Sequence, residues 1–93
     1  MPREDFSELC TIVDEDGIVE AVITYKIKID GTKMFSYSFM REFDDKGVSR
    51  RTCWISGRHA PAVLRLIPRV LEKLHEEELK QKLEIKRGVR GSD

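Results

Sequence analysis

The spacing of apolar residues changes once along this chain, at Ser56-Gly57. Before that point the clearest run is residues 18–29, where Val19, Ala21, Ile23, Tyr25, Ile27 and Ile29 alternate with Glu20, Thr24, Lys26 and Lys28. A period of two is that of a strand with one buried face. After it, Ala60, Val63, Leu64, Ile67, Val70, Leu71 and Leu74 recur at steps of three and four, the period of an amphipathic helix. A chain that spends its strand-like sequence first and its helical sequence last builds a sheet covered by a helix, an α+β arrangement.

Three turn signals divide the strand-like half: Asp14-Glu15-Asp16-Gly17, Asp30-Gly31 and Asp44-Asp45-Lys46-Gly47. They separate four runs, at residues 6–13, 18–29, 34–43 and 48–55. Connections this short make an antiparallel meander. The expected order is therefore ββββα, with Ser56 as the cap and Pro61 in the first helical turn. Charges four residues apart carry the helix on through Glu76–Glu84. Pro68 should kink it and free one carbonyl, unless the helix starts after it. With 93 residues there is one core, so residues 1–86 form a single domain and residues 87–93 a disordered tail. A domain this small often gains stability by pairing with a second copy.

One helix covers one face of a sheet, so the other face needs a role. Register decides what it carries. A two-residue turn at Asp30-Gly31 sets Ile29 opposite Thr32, Val22 opposite Phe39 and Glu20 opposite Arg41. The face away from the helix then collects Lys26, Lys28, Phe35, Tyr37, Phe39 and Arg41, and a four-residue loop at residues 44–47 adds Arg50, Thr52 and Trp54. Cys53 and Ile55 fall beneath the helix. A three-residue loop at residues 30–32 would do the opposite, flipping the third strand and burying Phe35, Tyr37 and Phe39 with Ile23 and Ile27. Arg41 weighs against that alternative, because it would enter a buried row without an obvious partner.

Charge is segregated in a way the zero net charge conceals. Residues 1–25 hold one base against seven acids, and residues 26–69 hold ten bases against four acids. A basic middle segment with interleaved aromatic rings suits unpaired nucleic acid, since rings stack on bases while Lys and Arg neutralise phosphates. Tyr37, Phe39 and Trp54 are the candidate stacking residues. Lys26, Lys28, Arg41, Arg50 and Arg51 are the candidate phosphate contacts, although alternation turns Arg51 to the opposite face.

Other chemistry finds little support. Cys10 and Cys53 offer no metal quartet and no CxxC spacing, and read as buried reduced thiols, with a single bridge between strands as the alternative. His59 and His75 are separated by most of the helix and have no Cys pair or carboxylate at ligand spacing, so no metal or cofactor is expected. The carboxylates of Asp44-Asp45 and Glu76-Glu77-Glu78 lie on a turn and a solvated helix, not in a cleft, so no enzyme is expected. There is no apolar run long enough for a membrane span and no signal-like amino terminus, which suggests an intracellular protein of the cytoplasm, nucleoid or nucleus.

Residues 33–74 resemble the single-stranded-DNA-binding transcriptional coactivators of the positive cofactor four type. The matching pieces are Met40-Arg41-Glu42-Phe43, the acidic turn Asp44-Asp45-Lys46-Gly47, the basic strand Arg50-Arg51-Thr52-Cys53-Trp54-Ile55, and the amphipathic stretch from Pro61 to Leu74, in that order. The resemblance implies a homodimer paired through the carboxy-terminal helix and sheet, binding single-stranded DNA (RNA as the alternative) with little sequence preference, alongside transcription or replication machinery. It implies binding roles for Arg41, Phe43, Arg50, Arg51 and Trp54. Pro68 and the charged extension of residues 76–87 depart from the family pattern. Purine-rich-element-binding and Whirly-like proteins share the ββββα layout and are the second resemblance.

A different class of function remains beside this one. An exposed aromatic face also suits a protein partner or a second copy of the chain, and Leu74, Leu79 and Leu83 between charges suit a helical partner.

Overall fold

The computed structural model describes residues 6–91, with side chains described for residues 6–86. Four strands, β1 (Ser7–Val13), β2 (Val19–Ile27), β3 (Lys33–Asp45) and β4 (Val48–Thr52), form one antiparallel sheet in the order β1-β2-β3-β4. A single turn of 3-10 helix (Gly57–His59) leads into one helix, α1 (Ala60–Gly91). The fold is the expected α+β ββββα arrangement. Ser56 caps this start without a side-chain hydrogen bond. Pro68 lies inside α1 on its exposed side, where it removes one backbone donor from the helical ladder. Helix α1 takes in residues 87–91 of the segment expected as a disordered tail, and residues 92–93 lie outside the described residues.

The core is small. Val19 and Ala21 of β2 meet Ala62, Leu66 and Val70 of α1, with Ile12, Phe39, Ile55, Val63 and Leu74 packed around them. Steps of four along the helix put Ala62, Leu66 and Val70 on one stripe. At one side of that stripe Arg65 clamps the β1–β2 turn. Its Nη2 and Nε donate to the two carboxylate oxygens of Asp14 at 2.7 and 3.1 Å, and Asp14 is only 4% exposed. The Arg65 hydrogen bond, followed by the opposing effect of burial and the backbone N–H of Asp16, sets the Asp14 pKa at about 2. Farther along α1, Gln81 holds the backbone of Lys33 from both sides, accepting from its N–H at 2.6 Å and donating to its carbonyl at 3.1 Å. The helix is thus fastened to both ends of the sheet.

The β2–β3 register differs by one residue from the two-residue-turn expectation. Ala21 pairs with Phe39, Ile23 with Tyr37 and Val19 with Arg41. The cause is a three-residue loop, residues 29–31. Gly31 N–H closes a turn on the Lys28 carbonyl at 2.9 Å, and Lys28 N–H bonds the Thr32 carbonyl at 2.7 Å. Gly31 has φ +88°, the left-handed conformation that such a bulged hairpin needs and that glycine adopts without strain. Slipping the pairing by one residue moves the whole side-chain row of β3 to the other face. Phe35, Tyr37, Phe39 and Arg41 therefore share the face of α1. Ser36, Ser38 and Met40 lie on the open one.

At the third hairpin Lys46 and Gly47 both have positive φ and Asp45 pairs with Val48, a two-residue turn in place of the expected four-residue loop. That change shifts the pairing by two residues, so the face of β4 is kept. Arg50 and Thr52 stay with Phe43 and Arg41, and Arg51 stays on the opposite side.

Candidate nucleic-acid interface

The nine residues singled out from the sequence divide into three groups. Tyr37, Phe39, Arg41, Phe43 and Arg50 lie together on the helix side of β3 and β4. Lys26 and Arg51 are on the open face. Lys28 sits at the β2–β3 hairpin, and Trp54 follows β4, 74% exposed. The register-based placement of the aromatic row opposite α1 is thus corrected, yet most of the row stays in one place, because β3 and β4 alternate in step.

Within the first group the environments differ. Phe39 packs on the core and meets Tyr37 edge to face, with ring centroids 5.8 Å apart. Tyr37 is 51% exposed, since α1 is centred over β2 and leaves the β3–β4 side uncovered. Arg41, for which the sequence offers no obvious partner in this row, has two: its Nε donates to the Trp54 carbonyl at 3.2 Å, and its guanidinium lies 5.8 Å from the Phe43 ring centre. A guanidinium over a ring is attracted by the ring quadrupole. Arg50 is paired with Asp45 at 2.7 Å with both side chains largely in water. A pair so exposed is worth little and is readily exchanged for another anion. Phe43, Arg41, Arg50 and Trp54 therefore form an exposed aromatic–cationic rim at one end of the sheet.

The open face is a different surface from the one anticipated. Arg51 of β4 reaches Glu8 on β1 at 3.2 Å, Thr11 on β1 at 3.5 Å and Glu20 on β2 at 2.5 Å. Laid flat, the outer strands of four would stand about 14 Å apart, so the sheet curls around this face. Curling buries Val22 and Glu20 although no helix covers them. Burial opposes the charge on Arg51, but the Glu8 hydrogen bond and the Glu20 field outweigh it and hold its pKa above the ordinary value. The Glu20 contact is an ion pair without hydrogen-bond geometry, leaving Oε2 of Glu20 unbonded in the strict sense. Thr24 and Ser36 exchange a hydroxyl hydrogen bond of 2.8 Å nearby. Arg51 is consequently engaged inside the molecule, and Lys26 lies 5.8 Å from the Phe6 ring centre. Sequence reading missed the Glu8–Arg51–Glu20 network because it joins strands at opposite edges, and no local spacing records it.

Beside the aromatic row α1 presents a second apolar strip. Leu64 and Leu71 are 68% and 60% exposed, and Ile67 and Leu71 join Tyr37, Phe39 and Val70 in lining a shallow groove. Cys10 and Cys53 are both free thiols, Cys10 half-buried and Cys53 exposed, which corrects the expected burial of Cys53. Among the described residues no group of His, Cys, Asp or Glu is placed to hold a metal ion, and no helix is long and apolar enough to cross a membrane. Comparison of the chain with protein-family models, with curated proteins and with solved structures finds no match.

Proposed function

We propose that this chain is a non-enzymatic protein that binds single-stranded nucleic acid, DNA before RNA, with low sequence preference, in transcription or in replication and repair. The observation that carries the reading is the rim of Phe43, Arg41, Arg50 and Trp54, where the exposed Phe43 ring lies beside the Arg41 guanidinium, the exposed Trp54 accepts from Arg41 through its carbonyl, and Arg50 is held by the exchangeable carboxylate of Asp45. Bases stack on such rings with an energy of about 1–3 kcal/mol each, and phosphates replace the exposed carboxylate partner. The hairpin lysines Lys26 and Lys28 extend the cationic surface at the other end of β2. Arg51 contributes to the stability of the curled sheet in this reading and not to the phosphate contact, and Phe39 belongs to the core.

A homodimer is part of the proposal. It is favoured by Leu64, Ile67 and Leu71 beside the exposed Tyr37, a continuous apolar strip of the kind that marks a protein interface.

The test is anisotropy of fluorescein-labelled oligo(dT) at two salt concentrations, with Trp54 fluorescence read in parallel. Binding that weakens with salt and quenches Trp54 is expected, and Trp54→Ala should lower affinity about tenfold or more. No binding even at low salt would leave the aromatic rim as a protein interface. Leu71→Glu should convert the dimer to monomer in sedimentation velocity, and an unchanged sedimentation coefficient would refute the helix-flank interface.

A further inference from the structure

The β2–β3 hairpin ends in a feature the rim does not explain. Ile29, at its tip, is fully exposed. Ile27 and Met34, on the two strands behind it, are also exposed, and together with Lys26, Lys28 and Asp30 these residues line one open groove. An aliphatic side chain at a turn tip has no local conformational reason to be there, since turns favour Gly, Pro, Asn, Asp and Ser.

Charge surrounds the apolar tip. Lys26 and Lys28 lie on one side of the ribbon and Lys33 on the other, and Asp30 is the one acid within residues 26–34. The Asp30 carboxylate is occupied within the turn, accepting from the Thr32 N–H at 2.9 Å and its hydroxyl at 2.6 Å. The ribbon is also stiff. Its turn is closed by the two backbone bonds already described, Lys33 Nζ lies 5.0 Å from the Tyr25 ring centre, and Gln81 grips the Lys33 backbone from α1.

A rigid two-stranded ribbon with cations on both flanks and an aliphatic point matches the requirements for entering a duplex groove and wedging between base steps. It does not match a stacking platform, which needs rings. Resting on the nucleic-acid reading above, we propose that the β2–β3 hairpin is a wedge that inserts Ile29 at the first base step of a junction between duplex and single strand, with Lys26, Lys28 and Lys33 on the flanking phosphates. The Trp54 rim then holds the emerging single strand. The full chain would therefore prefer a junction to either a plain duplex or oligo(dT).

The experiment compares wild type, Ile29→Ser and Trp54→Ala on oligo(dT) and on a duplex with a single-stranded tail carrying 2-aminopurine at the first base pair. Ile29 is fully exposed, so its replacement should leave folding intact. Wild type should bind the junction more tightly and raise 2-aminopurine fluorescence as the base unstacks. Ile29→Ser should lose that fluorescence rise and about tenfold in junction affinity, the order expected for one apolar side chain, with oligo(dT) affinity unchanged. Equal binding of wild type to both ligands, or an Ile29→Ser protein with undiminished junction preference, overturns the wedge while leaving the single-strand reading in place. Wild type that binds neither nucleic acid overturns both. Ile29-dependent binding to phosphatidylserine vesicles, with no Ile29 effect on the junction, assigns the tip to an anionic lipid surface and overturns the wedge.

Discussion

Phe39 is the residue on which the two possible registers of β3 differ most. In the observed pairing it stands opposite Ala21 and packs against the Val19, Ala21, Ala62, Leu66 and Val70 cluster. In the pairing shifted by one it would stand on the open face. An aromatic side chain buries about 150–250 Å² when enclosed, which at about 25 cal/mol per Å² is roughly 4–6 kcal/mol. Phe39 retains partial exposure and alanine keeps its Cβ, so Phe39→Ala should cost about 2–4 kcal/mol, in line with core aromatic truncations. A chain of 93 residues has a total stability of roughly 5–14 kcal/mol. The loss is therefore a large share of it. With a urea slope of about 1.5 kcal/mol per molar, a loss of about 3 kcal/mol lowers the midpoint by about 2 M. Urea melts followed by far-ultraviolet circular dichroism measure this, with Ser38→Ala as the control on the other face, expected to change stability by less than about 0.5 kcal/mol. A Phe39→Ala midpoint within error of wild type would refute the register and the core built on it.

Further outcomes follow from the ion pairs and turns. The Asp14 carboxyl, whose folded pKa of about 2 lies below its ordinary 3.8, contributes stability that is complete above pH 4 and lost as pH falls toward 2. Thermal melts across that window should therefore show a steeper acid decline for wild type than for Asp14→Asn, and parallel curves would show that the Arg65 clamp does not stabilise the fold. Arg51→Ala should cost about 2–3 kcal/mol by leaving buried Glu20 without its cation, and adding Glu20→Gln should restore part of it; strictly additive denaturation energies would show that the two are not coupled. Gly47→Ala forces a side chain onto φ +85° in open space, so it should cost about 1 kcal/mol in the same melts through backbone strain alone.

The sequence alone determined the element order, because a change of apolar period from two to three-and-four is a local signal and acid–glycine turns mark the ends of strands. It also determined that Tyr37, Phe39, Arg41 and Phe43 travel together, since alternation along β3 holds whichever way the sheet is turned, and Arg50 stays with them because the β3–β4 loop differs from the expected one by an even number of residues. Tertiary structure decided which way that was. Asp30-Gly31 suits the centre of a two-residue turn and also fits within a three-residue loop, and a single residue of loop length exchanges the two faces of a strand. The partners of Arg41, the grip of Gln81 on Lys33, the Arg65–Asp14 clamp and the Arg51 network all join residues far apart in the chain. They exist because a curled sheet and a helix laid along β2 bring those residues within bonding distance, and that distance is set by packing in three dimensions, which sequence spacing does not carry.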